Sequence, residues 1–288
     1  MSPAEAPSNV PSSFPSSFRR VVLALDPGAD YRTALTEAIH LATALHAELN
    51  ALFVEDESLF DAARHSFVRR YAPMSARWEP FGEHEVETAF KDLANRVRAA
   101  VAEAATRDRL AWSFNVVRGE VEKAALAAAR DADLIVLGAG QDALLAGLRS
   151  PSLARLGKQA RERSVLYVRP RAPVARLLVV AYDGAPGADH ALAVAARLAS
   201  PSELTVALIA PDDKAAAKLE KQAKAILGDR RAGAAFITLP KASAAELCGL
   251  SARVGAGALV FGADNPLLGK AAARKRLDET TCRVLVVR

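Results

Sequence analysis

The sequence predicts an α/β protein: two Rossmann-like, doubly wound parallel-sheet domains in tandem. Three observations predict it. Apolar strands alternate with amphipathic helical stretches, several strands end in an Asp or Gly turn, and the whole pattern is written twice in 288 residues. Arg20-Val-Val-Leu-Ala-Leu-Asp26 and Arg176-Leu-Leu-Val-Val-Ala-Tyr-Asp183 open the two copies. Ala132-Asp-Leu-Ile-Val-Leu-Gly138 then matches Ala256-Gly-Ala-Leu-Val-Phe-Gly262, and Val165–Val168 matches Val284–Val287 at the close.

In the first copy the pattern gives strands at about 20–26, 48–54, 113–117, 133–138 and 164–168. Helices are expected at about 30–46, 83–108, 120–131 and 152–162. Strands such as Val21–Leu25 and Leu134–Leu137 are apolar continuously rather than alternately, as in strands covered by helices on both faces. The helix at 83–108 puts Val86, Phe90, Leu93, Val97, Val101 and Ala104 on one stripe, so one face is expected to be buried. The second copy repeats the strands at about 175–182, 203–209, 234–239, 257–262 and 283–287. Boundaries follow: a flexible Ser/Pro-rich tail at 1–18, a first domain at 19–170 and a second at 171–288.

The spacing locates what differs between copies. Asp26 and Asp183 lie 157 residues apart (183 − 26), whereas Gly138 and Gly262 lie 124 apart (262 − 138). The first copy is therefore longer by 33 residues, mainly near Glu55 to Gly82. That insertion holds Phe60, Phe67, Tyr71, Trp78 and Phe81, far more aromatics than even spreading would place there. Two expectations stand for it: a lid or interface arm over the first cleft or a dimer contact, burying its aromatics, or a private satellite core.

Composition excludes several classes. Residues are 51% hydrophobic and 25% charged, the balance of a soluble globular protein, and no apolar run reaches membrane-spanning length. The N-terminus lacks the charged and apolar regions of a secretory signal, so a cytoplasmic location is expected. Two cysteines, Cys248 and Cys282, cannot form a disulfide framework and read as small buried hydrophobes. The charge of +5 is interleaved along the chain, and the basic clusters at 69–70, 155–176 and 274–276 read chiefly as solvated helix faces. Neither nucleic acid nor membrane is expected as a partner. The five histidines have no metal-ligand spacing, and no CxxC, HExxH, GxSxG, GxGxxG or Walker loop is present. No nucleophile with a neighbouring base is apparent, so no enzyme activity is expected.

Ligands of open parallel sheets bind beyond the carboxyl ends of the strands, where strand order reverses. In the first copy Asp26 and Gly138-Ala-Gly140 fall there, followed by Ser150-Pro151-Ser152 at a helix start, a natural anion site. From spacing alone Asp26 and Asp183 are equally well read as turn residues after a strand.

These residues, with Glu48-Leu-Asn-Ala-Leu-Phe-Val54 and Val117-Arg-Gly-Glu120, resemble the universal stress proteins in their tandem two-domain form. The resemblance implies the fold class of the adenine nucleotide alpha hydrolase-like proteins and a site for ATP. Its phosphate motif is glycine, two residues, glycine, nine residues, then Gly-Ser or Gly-Thr. Carried over, the site is Asp26, Val54, Gly138 and Ser152; Gln141 and Pro151 stand where the family has glycine, and Gly140, one position early, is the glycine that compensates if the loop shifts register. In the second copy Asn265 and Lys270-Ala271 replace the motif and the loop is five residues shorter, so no ATP is expected there. The resemblance also implies pairing through the last strands, as a homodimer or as a pseudo-dimer within one chain. The function implied is a non-catalytic cytoplasmic stress-response regulator with weak ATP or AMP binding in the first domain, acting on a protein partner the sequence does not name. The rival readings are a slow ATPase or nucleotide-dependent enzyme, and a protein-interaction scaffold that binds no nucleotide.

Overall fold

The structure is a computed structural model that describes residues 18–25, 31–65, 69–72, 76–80, 82–128, 132–138, 164–168, 176–240 and 243–288. In the first copy these form β1 (Arg20–Leu25), α1 (Tyr31–Leu45), β2 (Glu48–Asp56), α2 (Glu57–Ala63), a β3–β4 hairpin (Arg69–Ala72, Arg77–Pro80), α3 (Glu83–Arg107), β5 (Trp112–Gly119), α4 (Val121–Ala128), β6 (Leu134–Gly138) and β7 (Ser164–Val168). The second copy contributes β8 (Leu178–Tyr182), α5 (Pro186–Leu198), β9 (Leu204–Ile209), α6 (Asp213–Leu227), β10 (Ala235–Leu239), α7 (Ala244–Val254), β11 (Ala258–Gly262), α8 (Pro266–Gly269), α9 (Ala271–Asp278) and β12 (Arg283–Val287).

Ten strands make one sheet in the order β10-β9-β8-β11-β12-β7-β6-β1-β2-β5. Read from its own outer edge inward, each half has its third strand outermost, then its second, first, fourth and fifth. Both are the same doubly wound unit. All pairings within a half are parallel, and the halves join where β12 runs antiparallel to β7, Leu285 facing Leu166. The pairing through last strands expected from the resemblance is thus made inside one chain. It covers two apolar edges that would otherwise be open to association.

The core follows from the strand composition. Every residue of β6, β7 and β11 is buried, as expected for strands roofed on both faces. β5 differs: it is the sheet's outer strand, and Trp112 and Val116 are 38% and 44% exposed. In α3 the buried positions are Val86, Phe90, Ala94, Val97, Val101 and Ala105. The expected Leu93 and Ala104 are partly buried and pack against the same core, so Ala94 and Ala105 widen the stripe.

The insertion is joined to the main core at its start. Phe60 of α2 packs edge-on against Phe90 of α3 at 5.2 Å and belongs to the main core, so α2 does not form a separate one. Arg118 of β5 lies 3.7 Å over the Phe60 ring and pairs with Glu55 at 3.1 Å, tying the insertion to the sheet edge. Trp78 on the hairpin is 62% exposed, against the expectation that the aromatics are buried. Phe67 and Phe81 lie outside the described residues, as do the tail at 1–17 and the helix expected at 152–162.

Candidate functional site: two switch-point crevices

Strand order reverses between β1 and β6 in the first copy and between β8 and β11 in the second. Each reversal opens a crevice beyond the carboxyl ends of those strands, between the two turns that leave them.

The second crevice is described in full. Asp183 follows β8, and its Oδ1 accepts the Ala185 N–H at 3.1 Å. That is the turn role, which the sequence left level with a ligand role. Gly184 has φ +78°, and a Cβ there would lie 2.6 Å from Leu219 of α6, so the turn needs glycine. Across the crevice, a Cβ on Gly262 would stand 2.4 Å from the backbone carbon of Gly187 in the first turn of α5. The strand end and the helix start therefore touch backbone to backbone. Beside them the Gly187 N–H donates to Oδ2 of Asp264 at 3.1 Å, so a carboxylate of the chain sits at the helix N-terminus. Asn265, at the motif's second glycine, is buried and caps α8 by accepting the Leu267 N–H at 3.0 Å. Arg274 donates to the carbonyl of Leu268 at 2.9 Å, so it serves the fold rather than forming part of a solvated face. Below the turn Tyr182 is fully buried and donates to Asp189 Oδ1 at 2.6 Å. Burial and that carboxylate push its phenol well above the usual range.

The first crevice is described along its strand walls. Leu25 pairs with Phe53, which sets Val54 at the carboxyl edge of β2, next to the point where β1 ends. Val54 is itself fully buried and pairs with Val117, so its side chain belongs to the core and only its main chain can face a ligand. Gly138 ends β6 opposite Val168 and is buried. Asp26, Gly140 and Ser152, the other carried-over positions, lie outside the described residues, as do Gln141 and Pro151. By the 124-residue spacing (264 − 140), Gly140 is the counterpart of Asp264. The first copy thus has a glycine where the second has its plugging carboxylate.

Cys282 is buried and Cys248 half-buried; both are free thiols, and burial raises the Cys248 pKa. Among the described residues no helix is long and apolar enough to cross a membrane.

Two doubly wound halves with crevices of this kind define the class: an α/β protein built on the frame that nucleotide-binding proteins use. More narrowly, the chain belongs to the universal stress protein family, whose family model matches residues 17–160. Among solved structures it is similar to a universal stress protein from Archaeoglobus fulgidus, with TM-score 0.61 and 13% identity. That match covers 93% of this chain and 98% of the other. A universal stress family protein from Burkholderia pseudomallei is 26% identical over 52% of this chain and 96% of its own, with TM-score 0.35. No curated protein is matched by the sequence.

Proposed function

We propose that this chain is a non-catalytic regulatory protein of the universal stress type, with domains at 19–170 and 171–288, cytoplasmic, in which only the first domain takes a nucleotide. Asp26 would meet a ribose hydroxyl and the Val54 main chain the base. Gly138, Gly140 and the Ser152 hydroxyl would surround the phosphates of ATP or AMP. The second domain does not fit the group. Its crevice is filled by the contact of Gly262 with Gly187 and by the Asp264 carboxylate, which would repel a phosphate.

The observation that carries this reading is the inequality of the two crevices. One copy has lost loop length and gained a carboxylate, and the other keeps Gly138, Gly140 and the hydroxyl of Ser152. The pairing of β7 with β12 within the chain supports a pseudo-dimer, so a homodimer would need another surface.

The test is direct. Protein purified without added nucleotide is denatured, the released small molecules are identified by mass spectrometry, and ATP is then titrated into emptied protein. About one adenine nucleotide per chain, or saturable ATP binding at one site, is the expected result. Empty protein indifferent to millimolar ATP would leave the scaffold reading, and steady release of ADP from ATP would establish the enzyme reading instead.

A further inference from the structure

The seam between the halves contains a cavity of about 140 Å³. It lies away from both crevices, under α1 and α5 and over the β7–β12 pair. Its walls come from both copies in corresponding pairs. Leu166 and Leu285 face each other across the antiparallel ladder, and Leu41 of α1 corresponds to Leu198 of α5 at the 157-residue spacing (198 − 41). Two corresponding leucine pairs thus line the cavity, which lies beside the local two-fold relation between the copies, on the side of Glu37 and Arg283. Leu178 and Ala258 complete the apolar wall.

The polar groups of the lining are already engaged. Glu37 of α1 forms an ion pair with Arg283 of β12, their side chains only 16% and 7% exposed, and Arg283 also donates from Nε to the Gly257 carbonyl at 2.9 Å. The Thr36 hydroxyl donates to the Arg32 carbonyl at 2.9 Å. His40 and Arg176 stand at the exposed rim, and both act on the nearby carboxylate of Glu203. The rim thus carries both signs, while the interior offers leucine methyls and no uncommitted charge. The counterparts of the ion pair on the opposite side of the seam are Val194 and Ser164, both buried, so this chamber exists on one side only in this form.

We propose that this seam cavity is a binding site for a small uncharged molecule, an aromatic ring of about six to eight non-hydrogen atoms, which holds the two copies together by touching both. Apolar cavities of about 150 Å³ take up benzene, and the leucine and alanine wall of this open-mouthed cavity agrees with that class in size and surface. A charged analogue of equal size would have to leave water for leucine walls with no free counter-charge. Because the occupant contacts α1 and β7 from one copy and β8, α5, β11 and β12 from the other, it binds the docked state alone and stabilises docking by mass action.

The experiment uses the full chain with 13C-labelled leucine methyls, titrated with phenol and, separately, with benzoate and benzylamine. Phenol is expected to shift the methyls of Leu41, Leu166, Leu198 and Leu285 saturably at millimolar concentration and to raise the Tm. Both charged probes are expected to bind at least about tenfold more weakly. Ala258→Leu, which fills the chamber from β11, should abolish the phenol shifts. Should that variant not fold, the discrimination by wild-type protein still decides. No saturable shift with phenol, shifts confined to leucines elsewhere, or equal binding of benzoate would each overturn the assignment.

Discussion

The two halves share one strand order, yet the residues at their two switch points differ. The second copy differs from the first in three ways. The loop after β11 is shorter, Asp264 stands where the first copy has Gly140, and Asn265 stands where the first copy has Gln141. The fold survives this because each change satisfies something local. The carboxylate answers an orphan N–H at a helix start, Asn265 caps the next helix, and the close contact removes empty space.

The seam between the copies is unequal too, and its predicted effect is the largest. Glu37→Ala would leave Arg283 buried without its partner and should destabilise the protein by about 3 kcal/mol in urea unfolding. Replacing the counterpart Val194 by Ala should cost less, about 1–2 kcal/mol, because no buried charge is orphaned. Equal losses would mean that the seam is energetically symmetric.

Next, Gly262→Ala forces a methyl against Gly187 and should cost about 2 kcal/mol, whereas the counterpart Gly138→Ala should show in ATP affinity as well as in stability. If Gly262→Ala proves harmless, the second crevice is looser than the contact implies. A comparable effect is expected on binding: Asp26→Ala should weaken ATP by about 1–3 kcal/mol, read by calorimetric titration, while Asp183→Ala leaves it unchanged. Equal losses from both would contradict the asymmetric pair.

A smaller change is expected from Asp264→Ala. It frees the first turn of α5 and should lower stability by about 0.5 kcal/mol without restoring ATP binding, because the Gly262–Gly187 contact remains. Gained ATP binding would show that the carboxylate alone closes the site.

The smallest effect concerns His190 in α5, half-buried and held below its ordinary value of 6.5 by desolvation. The unfolded chain then takes up a proton that the folded chain refuses. This contribution is complete above pH 6.5 and is lost as pH falls from there toward the depressed folded value. His190→Asn should flatten that part of the stability profile, and an unchanged slope would assign it to other groups.

Much of this was legible in the residues. The repeat gave the strand pairs almost to the residue, because a strand roofed on both faces must be apolar throughout and a turn after it must bend sharply. Lys270 was rightly placed at a helix start, and it precedes Ala271, the first residue of α9. The aromatic insertion was harder to read. Phe60 could find Phe90 only after a helix distant in sequence had been laid beside it, and nothing local distinguished it from the exposed Trp78. The stripe of α3 is wider than the sequence shows for a similar reason, since the contact surface belongs to the sheet as much as to the helix.

Two copies, a doubly wound α/β unit in each, and a second copy without the phosphate motif can all be read from the residues. Those properties are written in local composition and spacing, where period and turn chemistry act over a few residues. The contact of Asp264 with Gly187, 77 residues apart, exists only in the folded chain. The same holds for the ion pair of Glu37 with Arg283 and for the cavity between corresponding leucines. Such contacts depend on how closely two separately folded surfaces fit together. That fit is set by side-chain volumes summed across the seam, which no single stretch of the chain contains.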